Sequence, residues 1–337
     1  MANNKEKDFI SGYVYTPGEF ATIGLESVKA IKEDTSRSLK IGIPSIDKYF
    51  APLLPGQVCA VIAQTSQYKS GFLHFVEHVN ARQIQDEGRE EILIHVSVEE
   101  TIEEQSYLEF ARLSHEDPGK LAVGDVQDWG KLESASYKVA GIPIYRVGDS
   151  LARPGLEHEL YLTNLIRAVR YIQENMSVTI AGLYFDYLQA FPIDPEIKGQ
   201  SHDQQRRLQV RSDIYRLKQA ANYFKCPVWV AVQAKQHLDG APSQNFQMPG
   251  IYDGEESSSI AQRVDRIVQL WMPKMTNPVG STVKISNDLQ FTVSENLLFL
   301  KVGKQRGGLP SGRIWQCRVN FRTNTIAPEA IGFEDEG

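Results

Sequence analysis

No apolar run in this sequence reaches the roughly 18 residues a membrane-spanning helix needs. The first residues, Met1 to Asp8, are polar and charged and do not read as a secretory leader. Cysteine is scarce. Cys59, Cys226 and Cys317 are odd in number and far apart, which excludes a disulfide framework and a metal-ligand spacing and fits a reducing cytoplasm. Positive charge is not in excess either: the formal net charge is −6, and four of the acids (Glu329, Glu334, Asp335, Glu336) lie in the last nine residues. A near-neutral body has no global field that attracts nucleic acid, so any such contact must come from a local basic lining. There is no internal repeat and no low-complexity tract. What is present is 337 residues, 42% apolar and 23% charged, the make-up of an ordinary globular protein. That length suits one large domain with short appendages or two small domains.

Residues 1–17 read as a flexible arm ending at Pro17. Over residues 18–35, Phe20, Ile23, Leu25, Val28 and Ile31 fall roughly on one helical face, until Asp34, Thr35 and Ser36 break the pattern. The amphipathic helix this predicts either folds back on its own core or docks on another subunit. From residue 40, strands and helices alternate. Strands are predicted at 57–63, 91–97, 143–147, 178–186, 227–233, 265–271, 297–303 and 313–320. Several are continuous apolar runs, as in strands buried on both faces. A helix over 206–224 carries Val210, Ile214, Leu217, Ala221 and Phe224 on one stripe and Arg206, Arg207, Arg211 and Lys218 on the other. The fold class is α/β, with a mainly parallel sheet, helices on both faces and closely spaced antiparallel C-terminal strands.

Four groups of residues carry candidate chemistry. Ala63-Gln64-Thr65-Ser66-Gln67-Tyr68-Lys69-Ser70 follows the first strand, where a phosphate loop G-x-x-x-x-G-K-[ST] would stand. Such a loop wraps phosphate in backbone N–H groups, adds a lysine, holds Mg²⁺ by a hydroxyl and aims a helix N-terminus at the anion. Lys69 and Ser70 are present, but Ala63 and Tyr68 stand where glycine is expected. Ser66, Gln67, Tyr68, Lys69, Ser70 and Gly71 form the candidate nucleotide-binding segment, with weaker affinity expected than a glycine loop gives. Asp186, in Tyr184-Phe185-Asp186-Tyr187-Leu188-Gln189 at a strand's end, is placed to hold Mg²⁺ through water, or else caps a turn. Glu99, in Ser97-Val98-Glu99-Glu100, can reach a water in line with a γ-phosphate if its strand neighbours the first; otherwise it is a solvated loop acid. Lys304 and Arg306, in Lys301-Val302-Gly303-Lys304-Gln305-Arg306-Gly307-Gly308, point to one side of a strand, as an arginine finger in a ring or as an exposed basic hairpin.

Together with Gly42-Ile43-Pro44-Ser45-Ile46-Asp47, Gln233 and Ser257-Ser258-Ser259-Ile260-Ala261-Gln262, these motifs resemble the C-terminal RecA-like ATPase domain of DnaB-type replicative helicases, from about Ile41 to Ile326. The D-Y-L-Q and K-Q-R-G stretches are the specific part. The resemblance implies ATP and Mg²⁺, with Lys69, Ser70 and Asp186 on phosphate and metal, Glu99 as base, Gln233 sensing the γ-phosphate, and Lys304 and Arg306 acting on the neighbouring subunit's nucleotide. It implies a cytoplasmic homo-oligomer, a hexameric ring that moves 5′ to 3′ on single-stranded DNA, and a loader or primase-like partner. It divides the chain into an arm (1–17), a linker helix docked on the next subunit (18–37), the ATPase domain (38–327) and an acidic tail (328–337), with no counterpart of the family's N-terminal domain. Arg206, Arg207, Arg211 and Lys235 are the candidate strand contacts. In the family a basic residue precedes the E-S pair of a channel loop; here it is Glu255, followed by Glu256, and a carboxylate repels strand phosphate. A mobile-element origin suits the trimmed chain. The alternative is a nucleotide-binding assembly or regulatory module of the same fold with weak or no unwinding activity.

Overall fold

The computed structural model describes residues 15–33, 38–152, 159–235, 247–254, 259–284, 290–307, 312–327 and 331–334. The chain divides into two units, Met1–Ser38 and Leu39–Gly337. In the first, helix α1 (Pro17–Glu33) is capped by Thr16. The Thr16 hydroxyl accepts from the Glu19 N–H, and the Glu19 carboxylate accepts from the Thr16 N–H at 2.7 Å. This reciprocal cap, with proline at the first helical position, satisfies donors the helix cannot. Phe20, Ile23, Leu25, Val28 and Ile31 of α1 are all exposed.

The second unit opens with the short helix α2 (Pro44–Asp47). The Asp47 carboxylate accepts from the N–H groups of Ile41 and Gly42, each at 3.0 Å. Gly42 has φ +89°, and a Cβ there would collide with Val79, so the motif needs glycine at this position. Then follow β1 (Val58–Ala63), α3 (Lys69–Asp86), β2 (Glu91–Ser97), α4 (Ile102–Ser114), α5 (Pro118–Ala122), α6 (Trp129–Ala140), β3 (Ile144–Val147), α7 (Leu162–Met176), β4 (Thr179–Asp186), α8 (His202–Phe224), β5 (Val228–Gln233), α9 (Ser259–Arg263) and β6 (Arg266–Trp271). The remaining strands are β7 (Thr282–Lys284), β8 (Gln290–Thr292), β9 (Leu297–Gln305), β10 (Arg313–Asn320), β11 (Thr325–Ile326) and β12 (Ile331–Glu334).

The main sheet runs β11-β10-β9-β6-β1-β5-β4-β2-β3, with β12 also on β10, while β7 and β8 pair separately. From β6 to β3 the pairings are parallel; from β6 through β9 to β10, β11 and β12 they are antiparallel. Alternation along β1 explains its continuous apolar run. Cys59, Val61 and Ala63 join Phe72, Leu73 and Val76 of α3 on one face, whereas Val58, Ala60 and Ile62 join Val210, Ile214 and Leu217 of α8 on the other. All three cysteines are buried and free. No helix among the described residues is long and apolar enough to cross a membrane.

The condition set for Glu99 is not met: β2 does not neighbour β1, because β5 and β4 lie between them. Within the stretch read as an acidic tail, β12 pairs with β10 over Ile331–Glu334. Both are settled by hydrogen bonding between segments far apart in the chain, which local periodicity does not report.

The polar side of α8 carries one buried acid. Asp213 is fully inaccessible; Gln209 donates to its Oδ1 at 2.6 Å, Arg216 stands 3.9 Å away, and Oδ2 has no hydrogen-bond partner among the described residues. Burial pushes its pKa up to about 7, against Gln209 and Arg216. The unfolded chain releases this proton near 3.8 and the folded chain near 7, so folded protein holds more protons between those values and loses stability as pH rises. Asp213→Asn removes the penalty. Its stability relative to wild type is expected to improve from pH 5 to pH 8 by on the order of a few kcal/mol. Urea midpoints of the two proteins across that range check this; a difference that does not change with pH refutes the assignment.

Candidate active site

Three adjacent parallel strands bring the phosphate-loop lysine and serine, Gln233 and Asp186 to one edge of the sheet. β1 ends at Ala63, directly in register with Gln233 at the end of β5, and β4 beside it ends at Asp186. The C-terminal edge of a parallel sheet is where ligands of such folds are bound.

In the loop, Ser66 and Tyr68 have φ of 60° and 68°. Glycine takes this left-handed conformation freely; another residue loses about 1–2 kcal/mol. The backbone therefore has the turn the missing glycine would supply, and Tyr68 holds it through its side chain. The ring lies across Gly71, where a Cβ would collide with it, and meets Phe321 edge-on at 5.8 Å. Its hydroxyl donates to Asn324 Oδ1 at 2.5 Å, and Asn324 Nδ2 donates to the Gly71 carbonyl at 3.1 Å. The turn after β10 thus braces the start of α3. A cavity of about 210 Å³ beside it is lined by Tyr68, Ser70, Gly71, Arg112 and Arg322, among others.

Lys69 is buried, its Nζ 3.4 Å from both the Gln64 carbonyl and Gln233 Oε1, and 5.3 Å from the centre of the Tyr187 ring. Gln233 also donates from Nε2 to the Thr65 hydroxyl, and its backbone exchanges hydrogen bonds with the Gln189 side chain at 2.9 and 3.1 Å. Gln67 is turned inward and accepts from the Met272 N–H, so it anchors the loop to the end of β6. Ser66 is exposed at the loop's tip.

Asp186 is 1% exposed and its Oδ1 has no hydrogen-bond partner among the described residues. Burial pushes its pKa up to about 6, while the adjoining Ser70 hydroxyl acts in the other direction. Ser70 and Asp186 present hard oxygen donors, the kind Mg²⁺ takes, and an unsatisfied buried carboxylate oxygen fits that ion or its water shell. Ser97 pairs with Asp186, so Glu99 lies two residues beyond the end of β2. Partial burial raises the Glu99 pKa, and the charge of Lys69 acts against this. Despite the two intervening strands, the loop carries Glu99 into the field of Lys69.

Behind these groups lies an ionised cluster that the sequence reading missed. Arg146 of β3 donates to both oxygens of the fully buried Glu77 of α3, at 3.0 and 3.1 Å, and to Glu109 of α4 at 2.8 Å. Glu77 Oε2 lies 3.4 Å from His74 Nδ1 and 3.2 Å from His95 Nδ1. The two imidazoles stack with centroids 4.5 Å apart. Burial works against charge on His74, but Glu100 and Glu77 overcome it and push its pKa up to about 9; burial pushes His95 down to about 4 despite Glu77. Burial opposes charge on Glu109 too, yet His78, Arg146 and Arg112 hold it down at about 2. Two signals could have found this cluster: His74 stands four residues after Ser70, on the same face of α3, and His95 interrupts the apolar run of β2.

Lys304 and Arg306 do share a side, at the opposite edge of the sheet. Lys304 Nζ donates to the Ala261 and Val264 carbonyls, and Arg306 Nη2 donates to the Gln262 carbonyl at 2.6 Å. Lys304 therefore caps α9, and burial, then Arg306, lowers its pKa. The Arg306 N–H donates to the Asp265 carbonyl, whose own N–H donates to the Val58 carbonyl. Arg306 is thus level with the start of β1, roughly 16 Å along the strand from its own phosphate loop.

The basic residues of α8 divide. Arg206 donates to the carbonyls of Gln189 and Phe191 and so holds the turn that follows Asp186. Arg207 and Arg211 are exposed. Arg211 lines a groove of about 470 Å³ with Lys198, Tyr215 and Arg263. The Lys235 N–H donates to the Asp253 carbonyl, and its side chain is on the exposed surface. Glu255 and Glu256 lie outside the described residues.

The sequence matches the family described as the DnaB-like helicase C terminal domain over residues 38–327. Among solved structures, it is similar to a DnaB-like replicative helicase studied with its primase interactions, with a TM-score of 0.66 and 15% identity, over 90% of this chain and 66% of that one. It is similar also to a second solved structure, that of an ATPase domain, with a TM-score of 0.66 and 16% identity, over 91% of this chain and 97% of that one. The chain thus spans a little under two thirds of the first of these. At such identities the likeness shows the RecA-like fold. Comparison with curated proteins found no match.

Proposed function

Because the chain belongs to the DnaB-like helicase C-terminal domain family through residues 38–327, we propose that it is an ATP-hydrolysing, ring-forming motor that moves on single-stranded DNA. The observation that carries this reading is the meeting of Lys69, Ser70, Gln233 and Asp186 at the C-terminal edge of β1, β5 and β4. Lys69 neutralises β/γ-phosphate charge, Gln233 reads the γ-phosphate, and Glu99 orients the attacking water and takes its proton. Bound between Ser70 and Asp186, Mg²⁺ would supply further neutralisation of phosphate charge. Arg306, far from its own loop, acts on the nucleotide of the next subunit, and the exposed apolar stripe of α1 docks there. A hexamer is the assembly proposed, with a loader or primase-like protein as partner. A cytoplasmic motor from a mobile element fits this reading.

A second reading, a nucleotide-binding assembly module with weak turnover, is favoured by Tyr68 in the left-handed position of the loop. The two separate in one assay: single-stranded DNA stimulates ATP hydrolysis by the motor and leaves the module unchanged.

DNA contact should be weak, independent of base sequence and steep in salt, because the body is near-neutral and local phosphate contacts must supply the attraction. Arg207, Arg211 and Lys235 are the proposed contacts; Arg206 is committed to two carbonyls. Each lost phosphate contact on a single strand is expected to reduce the slope of log affinity against log salt by about 0.7. Removing Arg207 and Arg211 together should flatten the slope by about twice that, and Glu255→Arg should strengthen binding. A salt titration in which all three proteins bind alike refutes the strand assignment and favours the module.

A further inference from the structure

We propose that His74, His95 and Asp186 form a binding site for a divalent first-row transition-metal ion, of the Zn²⁺ or Co²⁺ class, behind the phosphate loop. One donor atom from each of the three residues can be chosen so that all lie within 4.8 Å of one another. The side chains are 5%, 0% and 1% exposed, so this is an interior cluster and not a patch of surface acids. Among the described residues, neither ring of the histidine pair makes a hydrogen bond through either nitrogen, and Asp186 Oδ1 makes none. The approaches of Glu77 to the two Nδ1 atoms, at 3.4 and 3.2 Å, are ion-pair contacts too poorly aligned for hydrogen bonds. Buried polar atoms left in this state ordinarily have a partner.

The surroundings have the form that supports imidazole ligands. Glu77 stands at the Nδ1 side of both rings and is itself gripped by the Arg146 fork. With the rings turned to donate to it, a carboxylate on the Nδ1 side fixes the tautomer and leaves Nε2 as the ligand atom, which on His74 lies 3.7 Å from Glu100 Oε2. Glu77, Glu100 and Asp186 place three carboxylates around the stacked rings against one guanidinium, Arg146, which also serves Glu109. In the metal-free site a proton on His74 offsets part of this excess; when a divalent ion displaces that proton, the ion and Arg146 together balance the three carboxylates. Donors around a tetrahedral ion with bonds of about 2.0–2.1 Å stand about 3.4 Å apart. The cluster therefore has to close by up to about 1.4 Å, with the stacked rings tilting apart as their nitrogens converge.

Ligand chemistry separates this site from that for Mg²⁺. Two imidazoles and one carboxylate suit zinc, cobalt or iron; hydroxyl, carboxylate and water suit magnesium. The two sites share Asp186. On the ATPase reading, an ion held by His74 and His95 would withdraw Asp186 from magnesium and slow hydrolysis, but the binding site itself stands without that reading.

The test uses the full chain, stripped with EDTA and free of nucleotide, titrated with Co²⁺ and followed by visible absorption. The expected result is an intense band of a low-coordinate ion that saturates at about one equivalent. His95→Phe, which keeps a flat ring on His74, should weaken binding at least tenfold, whereas Ser70→Ala should leave it within twofold. Circular dichroism checks folding, and His74→Gln replaces His95→Phe if the latter does not fold. Absence of the band in excess Co²⁺, or a band unaffected by loss of either histidine, overturns the site. In a second arm, Zn²⁺ should inhibit wild-type hydrolysis at a concentration at least tenfold lower than it inhibits His95→Phe. If cobalt binds as expected but the protein shows no hydrolysis to inhibit, the ATPase reading fails and the metal site stands.

Discussion

Arg306→Ala is expected to turn over ATP about a thousand-fold more slowly than wild type, under conditions where both proteins assemble. The side chain sits at the start of β1, level with Val58, while Lys69 lies beyond the strand's other end. A guanidinium cannot bridge roughly 16 Å to its own loop, so any contact with phosphate must cross to another subunit. The local structure is built to present it. Asp265 accepts the Arg306 N–H and lies 3.6 Å from its guanidinium, and Lys218 and the Val58 N–H fasten the Asp265 carboxylate in turn. The Arg306 side chain is half exposed, so its loss should leave the fold intact. If the finger acts across an interface, wild-type specific activity rises with protein concentration. Mixing Arg306→Ala with Glu99→Gln then rebuilds complete sites. At equal amounts about one quarter of interfaces pair an intact Glu99 with an intact Arg306, so activity should recover toward a quarter of wild type. Variants that co-assemble, as shown by co-elution, and recover nothing would refute the shared site.

Lys69→Ala is expected to lower hydrolysis by at least about a hundred-fold with circular dichroism unchanged. In the structure the ammonium is buried at the loop, 3.4 Å from each of two oxygens, the Gln64 carbonyl and Gln233 Oε1. Phosphate oxygens at that point would receive a full positive charge in a site shielded from water, where charge-assisted hydrogen bonds are strongest. Alanine removes the charge and leaves Gln233 with its Thr65 partner, so the loop retains its shape. Equal rates for variant and wild type, at saturating ATP, would mean that the segment from Ser66 to Gly71 does not hold phosphate.

Some features of this protein could be read along the chain. Strand positions came from continuous apolar runs, and the observed limits of β2 and β10 are those the runs predict. Asp186 was visible because it ends a strand, and Lys69 and Ser70 because they open the helix after one, places set by local hydrogen bonding and side-chain alternation. Gly42 and Asp47 stood out as a motif, and their reason is short-range, a carboxylate five residues on closing a left-handed turn.

Other features depend on which distant segments meet. Arg206 looked like a strand-binding cation but is committed to two carbonyls, and Lys304 looked like a finger but caps α9. Spacing alone does not distinguish a solvated cation from one whose charge is taken up by carbonyls brought alongside it. The Tyr68 departure has the same lesson: its hydroxyl partner, Asn324, lies 256 residues away. The sequence by itself determined an alternating α/β sheet buried on both faces and the lysine, serine and acid at its edge, because periodicity and strand ends are local properties. Only the tertiary structure decided the strand order that separates β2 from β1, the brace on Tyr68 and the stacking of His74 on His95 beside Asp186. Those depend on hydrogen bonds and burial between elements far apart in the chain, where charge and desolvation act through space.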